Sequence, residues 1–77
     1  MEAKMYGTPR CGWCDRVARL LEDNEVNVEK IDISGDKILL KEMQKAAGKK
    51  VTTVPQVIID GNFVGGYTEV ERFINRL

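Results

Sequence analysis

Hydrophobic and polar residues alternate along the chain with the period of a helix in three places. The first helix is predicted over residues 12–24, and its apolar face carries Val17, Ala18, Leu20 and Leu21. A second helix is predicted over residues 36–47, because Gly48 is a natural C-terminal stop. The last helix has apolar residues at i, i+3, i+4 and i+7: Val70, Phe73, Ile74 and Leu77.

Short strands are predicted between these helices. Residues 3–6 form the first, which Gly7 ends, and residues 28–33 alternate with period two. Residues 56–60 are an apolar strand, and Gly61-Asn62 joins them to residues 63–64 as a hairpin. The buried core is expected to include Leu20, Leu21, Leu39, Met43, Phe73 and Ile74, with Tyr6 packed near the end of the sheet.

The resulting element order is β-α-β-α-β-β-α. Its first half is a βαβ unit, which should be parallel and right-handed. Its second half adds an antiparallel hairpin and a closing helix. We therefore expect an α/β fold with one four-stranded mixed sheet flanked by three helices, as a single domain over residues 1–77.

Composition narrows the class of protein. Twelve Lys and Arg balance twelve Asp and Glu, and a net charge of zero argues against nucleic acid as a partner. No apolar run approaches the roughly 20 residues that span a membrane, and residues 1–5 lack the apolar stretch of a secretory signal. The two cysteines are too close together for a disulfide between them to link distant segments of the fold. We expect a monomer in a reducing cytoplasm.

Cys11 and Cys14 stand after the first strand and at the start of the first helix. The first turn of a helix has free N–H groups and the positive end of the helix dipole, which stabilise a thiolate. We therefore expect the pKa of Cys11 to be lowered, with Arg10 as a nearby cation. Cys14 lies one turn further in, less exposed and within reach to form a disulfide. The pair predicts redox chemistry.

Two other interpretations of the cysteine pair are weaker. A structural zinc site usually has four nitrogen or sulfur ligands, whereas this chain has no histidine and no third cysteine. An inert buried pair of thiols does not account for the position at a strand-to-helix junction. We predict no metal site.

Three motifs, in this order and at these separations, resemble the glutaredoxin family and specifically its small dithiol members. They are Cys11-x-x-Cys14, Thr53-Val54-Pro55 and Gly65-Gly66-Tyr67-Thr68-Glu69. The resemblance covers almost the whole chain. It implies a thioredoxin-like fold, a redox-active Cys11–Cys14 disulfide, and reduction of disulfides at the expense of glutathione.

The resemblance also implies a binding site for glutathione. Pro55 is expected to be cis and to face the cysteines, so that Val54 binds the cysteinyl backbone of glutathione and Thr53 makes a second contact. The alternative for this tripeptide is a plain junction between loop and strand. Trp13 stands where dithiol members usually have tyrosine, and it is expected to flank the glutathione groove or a partner protein.

Gly65-Gly66 leads into the last helix, whose free N–H groups form an anion site. The resemblance puts the γ-glutamyl carboxylate of glutathione there, and the matching positions are Gly66, Tyr67, Thr68 and Glu69. Thr68-x-x-Glu71 also has the pattern of a capping box, which starts a helix with or without a ligand. Glu69 either receives the ammonium group of the ligand or is solvated.

The chain departs from the family at two positions. Gly12 follows the first cysteine where proline is common, and Thr8 stands where a basic residue is common. Three cations are candidates to bind the glycine carboxylate of glutathione in place of that basic residue: Arg10, Lys49 and Lys50. The alternative for these residues is a solvated surface position.

The resulting hypothesis is a glutathione-dependent oxidoreductase with glutathione as co-substrate and no bound cofactor. Its substrates are disulfide-containing and glutathionylated proteins, and ribonucleotide reductase is a target by resemblance alone. One alternative is a carrier of a [2Fe–2S] cluster in a glutathione-bridged dimer, which Gly12 permits. The other is a thioredoxin-like donor served by thioredoxin reductase, against which the motif at residues 65–69 argues.

Overall fold

The computed structural model describes all residues, Met1–Leu77. The predicted order of elements is confirmed, and the predicted ends of the first two helices and of the four strands lie within one residue of the observed ones. The elements are β1 (Glu2–Gly7), α1 (Gly12–Asp23), β2 (Asn27–Asp32), α2 (Lys37–Ala47), β3 (Gln56–Ile59), β4 (Asn62–Gly65) and α3 (Tyr67–Asn75). None of the helices is long and apolar enough to cross a membrane.

The four strands form one mixed sheet in the order β2-β1-β3-β4. β1 pairs parallel with β2, with Gly7 opposite Asp32 at its end, and antiparallel with β3. β3 pairs antiparallel with β4 through the predicted hairpin. The four-stranded mixed sheet is therefore confirmed, and β1 is one of its two central strands.

Two apolar clusters lie on opposite faces of β1, because successive side chains of a strand point to opposite sides. Ala3 and Met5 belong to the larger cluster, together with buried residues of α1 and α3. Tyr6 belongs to the smaller cluster, with Ile33 and Met43. The helices α1 and α3 thus cover one face of the sheet and α2 covers the other.

The expected core is confirmed only in part. Leu21, Met43 and Ile74 are buried, whereas three other expected core residues are half-buried: Leu20, Leu39 and Phe73. Leu77 is 69% exposed, although it continues the apolar spacing of α3. The reason is that α3 ends at Asn75, so the turn that would bring Leu77 back to the sheet does not form.

Both ends of α2 are set by local sequence. The carboxylate of Asp36 accepts hydrogen bonds from the N–H groups of Ile38 and Leu39, each at 3.0 Å. At the other end Gly48 adopts a φ of 73°, a conformation that suits glycine, and its N–H donates to the carbonyl of Gln44. The predicted stop at Gly48 is confirmed.

Tyr6 is the polar member of the smaller cluster. Its side chain is 2% exposed, and its hydroxyl donates a hydrogen bond to Glu42 Oε1 at 2.8 Å. Burial raises the pKa of Tyr6 to about 12, and the hydrogen bond and charge of Glu42 act in the same direction. The hydroxyl therefore ties β1 to α2 only while it keeps its proton.

This pKa predicts a loss of stability in strong base. The phenol has an ordinary pKa of 10.0 in the unfolded chain and about 12 in the fold, so between these values the folded state holds more protons. The free energy of unfolding should therefore fall as the pH rises from 10 towards 12. Urea unfolding at several pH values should show a steeper fall for the wild type than for Tyr6→Phe. Equal slopes for the two proteins would contradict the prediction.

Candidate active site

A disulfide between Cys11 and Cys14 stands at the start of α1, with the two Cα atoms 5.1 Å apart. Cys11 is the residue that caps the helix: its backbone is extended, and its Sγ accepts a hydrogen bond from the N–H of Cys14 at 3.0 Å. An acceptor at this position satisfies one of the free N–H groups of the helix. The same contact stabilises negative charge on the sulfur once the disulfide is reduced.

The two cysteines differ in exposure. Cys14 is 3% exposed and belongs to the larger core cluster, whereas Cys11 is only half-buried and packs at the edge of that cluster. An external thiol therefore reaches the sulfur of Cys11 and not that of Cys14.

A groove lies between the Val54–Pro55 turn and the start of α3. Its lining consists of Trp13, Thr53, Val54, Pro55, Gln56, Gly66, Tyr67, Thr68 and Glu69. Eight of these nine residues are predicted site residues, drawn from three separate stretches of the chain. The carbonyl oxygen of Val54 lies 3.9 Å from Cys11 Sγ, so one wall of the groove lies next to the accessible sulfur.

The Val54–Pro55 turn forms one wall of this groove. The peptide bond between the two residues is cis, as the resemblance implied, and Pro55 is buried. A methyl group on Gly66 would lie 3.4 Å from the carbonyl oxygen of Pro55. The absence of a side chain at Gly66 therefore lets the start of α3 approach the turn closely.

Gln56 also belongs to the site, although its sequence pattern predicts only part of a strand. It is 6% exposed, and its Nε2 donates to the carbonyl of Thr53 at 3.0 Å and to Thr53 Oγ1 at 3.2 Å. These bonds fix the backbone that leads into Val54. A polar residue at the head of an otherwise apolar strand was the available signal.

Trp13 lies on the other side of the groove, outside the core, and is 53% exposed. Its ring centroid is 5.2 Å from that of Tyr67, with the planes tilted by 53°. The guanidinium of Arg16 lies 4.7 Å from the centroid of the Trp13 ring. These contacts link the start of α1 to the start of α3.

The predicted capping box at Thr68 and Glu71 is wrong. Helix α3 begins at Tyr67 with Gly66 as its cap, and Glu69 Oε1 accepts a hydrogen bond from the N–H of Gly66 at 2.9 Å. The chain turns into the helix at Gly65, whose φ is 126°, so Thr68 already lies inside the first turn. Because Gly66 has no side chain, it satisfies none of the first N–H groups of α3.

The predicted cations do not line the groove. Arg10 is exposed in the turn before Cys11, and Lys49 and Lys50 are exposed in the loop after α2. Binding of the glycine carboxylate by one of these residues therefore remains a prediction.

A second depression, lined by Gly7, Cys14, Lys30 and Asp32 among others, lies on the other side of the cysteine pair. The hydroxyl and the N–H of Ser34 donate to Asp32 Oδ1 at 2.6 and 2.8 Å, and these bonds hold the pKa of that carboxyl below its usual value. The depression therefore keeps an anionic carboxylate and a lysine near the buried cysteine.

A disulfide at the start of a helix that packs on a four-stranded mixed sheet defines a thioredoxin-like thiol–disulfide oxidoreductase. The family model described as Glutaredoxin matches residues 3–64, and the chain belongs to the glutaredoxin family.

The relatives of the chain are similar over most of their length. Glutaredoxin 1 of Escherichia coli (strain K12) is 30% identical over 79 residues, which cover 96% of this chain and 93% of the relative. Glutaredoxin 1 of Salmonella typhimurium is 35% identical over 72 residues, covering 87% and 83%. The solved structure of reduced E. coli glutaredoxin matches with a TM-score of 0.83 at 30% identity, over 99% of this chain and 95% of that one.

The cap of α3 gives a test of the corrected helix start. Glu69→Ala should lower the free energy of unfolding by about 1 kcal/mol, because it removes the acceptor for the N–H of Gly66. Thr68→Ala should change it by less than about 0.5 kcal/mol, since this side chain caps nothing. Urea unfolding of both variants measures the difference. A larger loss for Thr68→Ala than for Glu69→Ala would restore the predicted capping box.

Proposed function

We propose that this protein is a glutathione-dependent oxidoreductase that reduces protein disulfides and protein–glutathione mixed disulfides. The observation that carries the proposal is the groove whose Val54 wall lies next to Cys11, with the Val54 carbonyl oxygen 3.9 Å from Cys11 Sγ. A tripeptide thiol is small enough to lie along this groove with its sulfur against that of Cys11.

The groove offers partners for the cysteinyl and γ-glutamyl parts of glutathione. The backbone of Val54 pairs with the cysteinyl residue of the tripeptide, as a strand pairs with a sheet edge. The free N–H groups at the start of α3 receive the γ-glutamyl carboxylate. One oxygen of Glu69 is engaged by Gly66, and its negative charge at the groove attracts the ligand's ammonium group. Thr53, Tyr67 and Thr68 complete the walls, and Trp13 flanks the opening.

In the dithiol route both cysteines react. The thiolate of Cys11 attacks a target disulfide, one target sulfur leaves as a thiolate and takes up a proton, and a mixed disulfide forms. Cys14 then loses its proton and attacks Cys11 Sγ, which releases the reduced target and leaves the Cys11–Cys14 disulfide. Two glutathione molecules return the two electrons and become glutathione disulfide.

In the monothiol route only Cys11 reacts. Its thiolate attacks the glutathione sulfur of a glutathionylated protein, so the protein thiol leaves and glutathione stays on Cys11. A second glutathione attacks that mixed disulfide, releasing glutathione disulfide and the Cys11 thiolate. A sulfur stabilised as an anion by the helix start is a good leaving group in this last step.

The setting of this activity is also part of the proposal. A reducing cytoplasm supplies glutathione, and a monomer leaves the groove open to protein substrates. Ribonucleotide reductase is a proposed target on the strength of the family resemblance alone.

The two routes predict different effects of the two cysteines. Cys14→Ser should keep activity on a glutathionylated peptide and lose activity on a protein disulfide, because only the dithiol route needs the second sulfur. Cys11→Ser should lose both activities. Turnover is measured with glutathione and glutathione reductase. Loss of both activities in Cys14→Ser would contradict the assignment of roles.

Glutathione dependence is tested with the same protein disulfide substrate. We expect turnover when glutathione and glutathione reductase supply the electrons, and background turnover when thioredoxin reductase replaces them. The reverse result would show a thioredoxin-like donor and refute the proposal.

The anion site at the start of α1 predicts an acidic thiol at position 11. In reduced Cys14→Ser, we expect the pKa of Cys11 to lie below about 8.5, the value of a free cysteine. Its thiolate is followed by ultraviolet absorbance as the pH is raised. The same variant unfolded in urea is the control, because unfolding removes the helix dipole and the cap. Equal pKa values in the folded and unfolded variant would remove the electrostatic basis of the mechanism.

A further inference from the structure

Gly7 is a buried glycine at the end of β1, directly behind the cysteine pair. The alternation along β1 points Ala3 and Met5 into the larger cluster, so position 7 faces the same side. Its φ is not in the left-handed region, unlike that of Gly65 or Gly48. The backbone at position 7 therefore suits any residue, and the reason for a glycine must be steric.

The group that fills the space beside Gly7 is the sulfur of Cys14. A methyl group built on Gly7 would lie 2.8 Å from Cys14 Sγ and 3.4 Å from Cys14 Cβ. Ordinary contacts between non-bonded heavy atoms are about 3.5–4.0 Å, so this sulfur and a methyl group cannot share the site. Glycine within a strand often marks such a close approach.

Neither partner of this contact is free to move away. In the disulfide, Cys14 Sγ is held in place by its bond to Cys11 Sγ. The backbone of Gly7 pairs with Asp32, and its carbonyl accepts a hydrogen bond from the N–H of Ile33 at 2.9 Å. The clash would therefore strain the disulfide itself.

We propose that Gly7 is a positioning residue for the resolving step, because its missing side chain makes room for Cys14 Sγ in the disulfide state. In the disulfide the sulfur is held against Gly7. In the dithiol state rotation about the Cα–Cβ bond of Cys14 lets the sulfur turn away. A side chain at position 7 therefore destabilises the disulfide state more than the dithiol state.

The step affected is closure of the disulfide. The Cys14 thiol gives its proton to solvent, its sulfur attacks Cys11 Sγ in a mixed disulfide, and the partner sulfur leaves as a thiolate that takes up a proton. The inference rests on the proposed resolving role of Cys14. Its test uses 2-mercaptoethanol and the corresponding disulfide, which do not require the glutathione groove, so its failure is distinct from failure of glutathione dependence.

The experiment measures how Gly7→Ala shifts the equilibrium between disulfide and dithiol. Oxidised protein and two molecules of 2-mercaptoethanol are in exchange with the dithiol and hydroxyethyl disulfide, and the two protein forms are counted by thiol alkylation and mass spectrometry. We expect the equilibrium constant to shift about tenfold towards the dithiol, which corresponds to about 30 mV in reduction potential. The reason is that the added methyl group overpacks the core in the disulfide state. An unchanged constant would overturn the proposal.

Gly12→Ala is the matched control. It also adds one methyl group beside the pair, but a side chain there meets nothing within 4 Å. We expect Gly12→Ala to shift the constant by less than about threefold, within the range of surface substitutions. Equal shifts in the two variants would mean that the contact with Cys14 is not the cause, and would overturn the proposal.

A second pair of variants covers the case in which Gly7→Ala folds poorly. Cys14→Ala removes the sulfur, so Gly7→Ala added to it should cost little further stability in urea unfolding, whereas it destabilises the oxidised wild type. Recovery of stability in the double variant supports an effect through the Cys14 sulfur. Equal destabilisation in both backgrounds would show that Gly7 serves the strand alone, and the proposal would be wrong.

Discussion

The hydrogen bond from the N–H of Cys14 to Cys11 Sγ is the interaction on which the site depends. This bond makes Cys11 Sγ the cap of α1 and holds the sulfur at the helix start, where the backbone favours negative charge. The helix can start there only because β1 ends at Gly7 and the turn through Arg10 brings the chain back over the sheet. The chemistry of the pair therefore follows from where one strand ends and one helix begins.

Around this sulfur the fold divides the two cysteines between two environments. Cys11 faces the groove beside Val54, where a small thiol has access, and Cys14 faces the core beside Gly7. In the proposed mechanism, exposure suits Cys11, which is attacked and released repeatedly, and burial suits Cys14, which only closes the disulfide. The asymmetry arises because Cys14 lies one turn further along the chain, on the face of α1 that packs against the sheet.

The groove is held by contacts that do not themselves touch the sulfurs. Gln56 donates a hydrogen bond to the carbonyl of Thr53, and Glu69 accepts one at the start of α3. The ring of Trp13 packs against that of Tyr67. Each of these contacts connects a different segment of the chain to the groove wall. A ligand would therefore meet a surface whose shape is set before it binds, which limits the entropy lost on binding.

The elements, their order and the place of the cysteine pair are encoded locally, because helix and strand periods, Gly48 and the hairpin signal act between residues close along the chain. The resemblance of its motifs added the eight groove residues that the structure brings together. Three contacts depend on the fold as a whole. Val54 lies against Cys11, 43 residues away. Gln56 is buried and bonds to Thr53, and Cys14 Sγ occupies the space beside Gly7. The structure also caps α3 at Gly66, with Glu69 as the acceptor, and not at Thr68. These features are contacts and angles set by the packing of whole elements, and no local periodicity encodes them.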